Sequence, residues 1–168
     1  MMLARRVPRR RGLLMMVSVL SALSLGMVAF LGAQAGAVQG VMPVSGHLTS
    51  HVVAGPECAS PVGICTAGTL NGGIQGDFQF TALTLTPTGV PTVFSYTGTI
   101  EVQTKDGDIH ISDAGAFDTT GDGPVVDLST ITGGSGKFEG ASGYIEIYGT
   151  FTFAAGGNSD YKGKVITS

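Results

Sequence analysis

Ile131-Thr-Gly-Gly-Ser-Gly-Lys-Phe-Glu-Gly-Ala-Ser-Gly-Tyr144 is the stretch of sequence that decides the fold. An alternating run follows it directly, Ile145-Glu-Ile-Tyr-Gly-Thr-Phe-Thr-Phe153. Glycine at this density marks backbone that needs positive φ or lies very close to another segment. Because alternation with a period of two is typical of a half-buried strand, the sequence predicts two strands joined through the glycine-rich stretch.

The rest of the chain after residue 40 has the same character. No apolar pattern repeats there at three and four residues, so we predict an all-β protein. The predicted strands number seven, or eight if the second one divides at Gly72-Gly73. They are residues 45–53, 68–85, 92–104, 108–118, 125–132, 143–153 and 161–167. Short strands joined by local turns, such as the Asp106-Gly107 hairpin, favour an eight-stranded antiparallel up-and-down β-barrel that leaves no edge exposed.

Alternation also assigns side chains to the barrel interior. An eight-stranded barrel is just wide enough either to be filled by its own side chains or to hold one small ligand. The 24 glycines after residue 35 favour a cavity, because they leave the interior short of bulk. The predicted inward-facing residues include Phe94, Val102, Ile145, Phe151 and Phe153. Those predicted to bind a ligand are Phe78, Phe80, Tyr96, Ile100 and Ile147.

The N-terminal segment predicts export. Residues 1–35 contain five arginines, then a long apolar run, then Ala33-Gln34-Ala35, the small-x-small form of a cleavage site. We therefore predict a signal peptide over residues 1–35 and a secreted protein, with an uncleaved N-terminal anchor as the alternative. Arg10-Arg11 also fits twin-arginine export, so both that route and the general secretory route stay open.

The remaining 133 residues form one predicted domain. We divide it into residues 36–66, with the first strand and a cysteine loop, and residues 67–168, with the rest of the barrel. This part has four lysines against all 12 acidic residues, a formal charge of 4 − 12 = −8, and neither arginine nor tryptophan. Such a surface argues against nucleic acid or an anionic membrane as a partner.

Cys58 and Cys65 are the only cysteines. In an exported protein an even cysteine count predicts a disulfide, here one that closes a small loop. A redox or metal pair is the alternative, although the spacing fits neither C-x-x-C nor a zinc knuckle. We predict no metal site and no cofactor.

Three segments resemble the allene oxide cyclase and dirigent-protein barrels. Residues 131–140 are nearly identical in pattern to an allene oxide cyclase segment, residues 105–112 are similar to the hairpin that precedes it, and residues 72–76 resemble a dirigent strand opening. The resemblance spans roughly residues 68–150. It implies an eight-stranded antiparallel barrel, often trimeric, with an apolar cavity that steers a cyclisation or radical coupling without a cofactor.

The family's reactive residues are absent at the matching positions. The first strand has His47 and His51 where allene oxide cyclases have a glutamate, and Asp127 stands where dirigent proteins have an arginine. Asp127 is therefore the predicted catalytic residue, because apolar neighbours would raise its pKa. The alternative is a solvent-facing aspartate.

Two function classes follow from these observations. The first is a barrel that binds a small apolar molecule and acts as a cofactor-independent cyclase, isomerase or coupling guide. The second is a non-catalytic secreted barrel for structure or interaction, which includes self-association. Asp118-Thr-Thr-Gly-Asp-Gly123 resembles half of a calcium loop, with an ordinary acidic turn as the alternative.

Overall fold

The computed structural model describes residues 40–168, which form a closed barrel of eight antiparallel strands. The signal peptide predicted for residues 1–35 lies outside the described residues. The strands are β1 (Gly40–Val53), β2 (Cys65–Gly72), β3 (Gly76–Pro87), β4 (Val93–Thr104), β5 (Gly107–Asp118), β6 (Pro124–Gly134), β7 (Ser142–Thr152) and β8 (Gly156–Thr167). Each strand pairs with the next, and β8 pairs with β1 to close the barrel. The all-β, eight-stranded antiparallel prediction is confirmed.

The two ends of the barrel are built differently. The connections 73–75, 105–106 and 135–141 lie at one end, which we call the closed end. The connections 54–64, 88–92, 119–123 and 153–155 lie at the other, which we call the aromatic end. Buried apolar side chains from all eight strands form a single cluster between them.

Tyr161 and Ile74 connect two segments on either side of β1 at the closed end. The Tyr161 side chain is buried, and its hydroxyl donates to the Ile74 carbonyl and accepts from the Ile74 N–H, both at 2.9 Å. This pair ties β8 to the connection between β2 and β3. Because both Ile74 backbone groups are buried with the side chain, the tyrosine satisfies them where water does not reach.

The glycine-rich stretch forms the other part of the closed end. Within it Gly136–Phe138 is a short 3-10 turn, and the Phe138 side chain is buried in the core cluster. Gly136 has φ +57°, and a Cβ there would lie 2.5 Å from the Asp106 carbonyl oxygen. The Lys137 N–H donates to that same carbonyl at 2.9 Å. Glycine is needed at position 136 because the stretch lies directly on the hairpin between β4 and β5.

The predicted interior face is confirmed except at one residue. Phe78, Ile100, Val102, Ile145 and Ile147 are buried, while Phe80, Phe94, Tyr96 and Phe151 are partly buried. Phe153 was predicted to face inward. This prediction is wrong, because 52% of the residue is exposed. The alternation holds only as far as the strand does, and β7 ends at Thr152, which leaves Phe153 in the following turn.

The predicted disulfide between Cys58 and Cys65 is confirmed, with the Cα atoms 5.5 Å apart. It anchors the connection 54–64 at the aromatic end. Ser60 fixes the same connection, because its hydroxyl donates to the Ala82 carbonyl at 2.6 Å and accepts from the Ile64 N–H at 3.1 Å. Among residues 40–168 no helix is long and apolar enough to span a membrane.

Candidate functional site

A cavity of about 100 Å³ lies inside the barrel, towards the aromatic end, and is partly open. Apolar side chains form most of its wall. The structure places all six residues that the sequence predicted for catalysis or ligand binding around this one cavity. They are Asp127, Phe78, Phe80, Tyr96, Ile100 and Ile147. Their roles stay predictions, but their positions bring them together.

Asp127 and Tyr96 meet across a glycine. Gly115 pairs with Tyr96 on one side and with Asp127 on the other, so the three residues form a row across β4, β5 and β6. The Tyr96 hydroxyl donates a hydrogen bond to Oδ1 of Asp127. A Cβ at position 115 would lie 1.9 Å from that same Oδ1. Glycine at 115 therefore leaves the space in which the tyrosine reaches the carboxyl group.

Asp113 and Ser129 form a second polar pair in the cavity wall, and sequence reasoning missed both. Asp113 is 3% exposed, and the fully buried Ser129 hydroxyl donates to its Oδ1 at 2.6 Å. The sequence contained the information, because Asp113 alternates in step with Ile109 and Ile111 on β5 and therefore lies on the same face of the strand. An aspartate on the apolar face of an alternating strand predicts a buried carboxyl group.

Burial changes the acidity of these groups. Burial, and after it the nearby Asp113 carboxylate, raises the pKa of Asp127 to about 7, although the hydrogen bond from Tyr96 acts to lower it. Burial also raises the pKa of Asp113, against the hydrogen bond from Ser129. The pKa of Tyr96 is raised by burial and by the two aspartates, so its hydroxyl stays protonated. Asp127 can therefore accept or donate a proton near neutral pH.

Aromatic rings cover the cavity at the aromatic end. The Phe117 ring lies 5.9 Å from the Tyr96 ring and 6.0 Å from the Phe151 ring, measured between centroids. The Phe80 ring packs edge-on against Tyr96 at 5.6 Å. These distances are typical of favourable ring pairs, so the cover is a connected apolar layer. It gives the cavity an apolar aromatic lining beside Asp127.

The other candidates from the sequence lie outside this site. His47 contacts Asp160 and His110 contacts Glu101, both on the outer surface. Asp118 accepts hydrogen bonds from the backbone and hydroxyl of Thr120 at 2.9 and 2.8 Å, which makes residues 118–123 a self-bonded acidic turn. Residues 40–168 contain no group of three His, Cys, Asp or Glu side chains that could hold a metal ion.

Comparison of the chain with protein-family models, with curated proteins and with solved structures gives no match.

Proposed function

We propose that this chain is an exported β-barrel that binds a small hydrophobic molecule in its interior. We further propose that it converts this molecule without a cofactor, as a cyclase, isomerase or coupling guide. The observation that carries the proposal is an apolar cavity whose wall contains Asp127, Asp113 and Tyr96. A cavity of this kind, with few convergent polar groups, is typical of small-molecule sites.

The proposed chemistry is proton transfer in a water-poor site. Asp127, with a pKa of about 7, removes a proton from carbon and returns it to another position of the bound molecule. The Tyr96 hydroxyl, which stays protonated, holds the Asp127 carboxyl group in place through its hydrogen bond to Oδ1. The walls hold the substrate in one conformation. The resemblance to the allene oxide cyclase and dirigent barrels agrees with catalysis by orientation.

Binding is tested with toluene and benzyl alcohol as probes, because a cavity of about 150 Å³ holds one benzene ring, and the cavity here, although smaller at about 100 Å³, is partly open. In ¹H–¹⁵N spectra of the full chain we expect saturable shifts of amides around the cavity. Ala82→Leu should abolish them, because Ala82 is buried in the cavity wall. Ala114→Leu adds the same bulk at an exposed position and should leave binding intact. No saturable shift with either probe would overturn the proposal.

Proton transfer is tested with cyclohexanone in D₂O. The expected reaction moves an α-proton of the ketone to the Asp127 carboxylate, and a deuteron from solvent then returns to the same carbon. Loss of the α-proton signal should be at least about 100-fold slower with Asp127→Asn than with the wild-type chain, as for removal of a general base. The exposed Asp77→Asn is the matched control. Equal rates in wild type and Asp127→Asn would leave a binding protein without this chemistry.

The second candidate is a non-catalytic barrel that associates with further copies of itself. A specific observation favours it, because the outer face of β6 and β7 exposes Val126, Leu128 and Tyr148. Val126 and Tyr148 are paired in register, so the patch is continuous across both strands. Light scattering of the full chain should then give an oligomeric mass that Leu128→Lys reduces to the monomer. A monomeric wild-type chain would exclude this candidate.

Export is proposed from residues 1–35 together with the disulfide, because disulfides persist in oxidising compartments. The expected mature N-terminus is residue 36. Mass spectrometry of the protein recovered outside the cell checks it, and recovery of only the uncleaved chain in the membrane would favour an N-terminal anchor.

A further inference from the structure

The cavity has one sign of charge. Among residues 40–168, two of the side chains that line it are carboxylic acids, and none is Lys, Arg or His. Asp113 and Asp127 are 3% and 8% exposed, so solvent screens their charges little. An acidic cavity without a basic counterpart repels anionic molecules and attracts cations, and the field of the surrounding chain, with its formal charge of −8 for residues 36–168, has the same sign.

The acidic groups have unused hydrogen-bonding capacity. Within residues 40–168 the Asp127 carboxyl group receives one side-chain hydrogen bond, from Tyr96 to Oδ1. No fully enclosed side-chain oxygen in that part of the chain lacks a partner, so the second oxygen of Asp127 is accessible, and Asp127 lines the cavity. A carboxylate with a free oxygen in an apolar surrounding is a strong acceptor for a charged donor.

The aromatic rings beside the acids suit the same kind of ligand. Tyr96 holds Asp127 through its hydroxyl, and its ring lies between those of Phe80 and Phe117. The face of an aromatic ring attracts a cation, and the attraction grows when water is excluded. The apolar wall meanwhile favours a hydrocarbon body. The site therefore combines anionic acceptors, ring faces and apolar surface within one small cavity.

We propose that the preferred ligand is a small apolar amine, bound as its ammonium form with the nitrogen at Asp127 and Asp113 and the hydrocarbon part against the aromatic end. This inference rests on the proposed function, because it names the ligand class of the same cavity. A neutral alcohol of the same shape would fill the cavity but leave the carboxylate charge without a counter-ion. Ca²⁺ or Mg²⁺ would need six or more oxygen ligands, whereas an ammonium group needs only a few acceptors.

The test compares three probes of one shape, which are benzylamine, benzyl alcohol and toluene, by titration of the full chain at pH 8. At this pH Asp127 is ionised, since its pKa is about 7. The groups that face Asp127 are Asp113 on β5 and Tyr96 on β4. We expect benzylamine to bind at least about tenfold more tightly than benzyl alcohol, the ratio that a charged rather than a neutral hydrogen bond gives. Lowering the pH to 5 should reduce this ratio.

Two variants test whether the preference for benzylamine over benzyl alcohol depends on Asp127. Asp127→Asn should bring the ratio of benzylamine to benzyl alcohol affinity close to one, while Asp77→Asn removes an exposed charge and should keep it. If Asp127→Asn is unfolded by circular dichroism, the wild-type ratio and its pH dependence still decide the question. Equal affinities for benzylamine and benzyl alcohol at pH 8 would overturn the proposal of an amine ligand. The proposal that the cavity binds an apolar molecule would still stand. Failure of all three probes to bind would overturn the proposed function itself.

Discussion

At the scale of single residues, Asp127 couples the stability of the barrel to pH. Its pKa is about 7 in the folded chain against 3.8 for an ordinary aspartate, so between these values the folded state holds a proton that the unfolded state has lost. Stability is therefore greatest below the lower value and falls as the pH rises through the higher one.

We expect the free energy of unfolding of the wild-type chain to drop by about 2–3 kcal/mol between pH 5 and pH 8. In Asp127→Asn the drop should be smaller, because the amide keeps the shape and carries no proton that titrates, and the part that remains belongs to Asp113, whose pKa burial also raises. Urea denaturation at both pH values measures it. Asp77→Asn serves as the control and should retain the wild-type slope, and a slope in Asp127→Asn equal to that of the wild type would contradict the assignment to Asp127.

The same scale shows what sequence reasoning could not reach. Asp127 was predicted among apolar neighbours, with a solvent-facing aspartate as the alternative, but its contact with Tyr96 depends on Gly115, which lies on a different predicted strand. Pairing of β5 with β6 shifts register between His110 and Ile111, and single-strand alternation contains no information about such a shift. The acidic pair of Asp113 and Asp127 therefore becomes visible only with the sheet assembled.

At the scale of elements, the strands with clear alternation and tight turns were predicted best. The two runs on either side of the Lys105-Asp106 turn match β4 and β5 to within one residue at each end. β8 was predicted from Tyr161 and begins five residues earlier, at Gly156. Its first residues, Gly-Gly-Asn-Ser-Asp, have no apolar period, and they form a strand because β1 and β7 supply hydrogen-bonding partners on both sides.

The glycine-rich connection acts as an element of the core, and Phe138 is the residue that makes it so. Its side chain is buried among those that fill the closed end. We expect Phe138→Ala to lower the free energy of unfolding by about 3–5 kcal/mol, since the cavity it leaves cannot collapse around a closed barrel. Lys137→Ala, at the exposed neighbouring position, should cost little. If Phe138→Ala lowers the free energy of unfolding by less than about 1 kcal/mol, the glycine-rich connection is a surface turn and not part of the core.

The disulfide connection is the element that supports the aromatic end. Replacing both cysteines by serine removes a cross-link between residues seven apart, which the chain-entropy account values at about 2.5 kcal/mol. We expect that loss of unfolding free energy in denaturant. Reduction of the wild-type chain should reproduce it, and the same reductant should not affect the double variant. If the reductant destabilised the wild-type chain and the double variant equally, its effect would not come from reduction of the disulfide.

At the scale of the whole molecule, the residues that fill the closed end of the barrel lie apart from those that form the candidate site. Tyr161, Phe138 and Ile74 fill the closed end, whereas Asp127 and the aromatic rings surround the cavity at the other. Closure of the sheet between β1 and β8 joins these regions without a strand edge. Substitutions at the closed end should therefore change unfolding without changing the binding of a small molecule.

Tyr161→Phe tests this separation directly. The change removes one hydroxyl and leaves the buried N–H and carbonyl of Ile74 without partners, which should cost about 1–3 kcal/mol of unfolding free energy. Tyr148→Phe is the matched control, because that hydroxyl lies on the outer face and 48% of the residue is exposed. Hydrogen exchange of the Ile74 amide should accelerate in Tyr161→Phe alone, while toluene binding should match the wild type. Weakened toluene binding in a folded Tyr161→Phe chain would show that the two ends are coupled, because no group that lines the cavity has been altered.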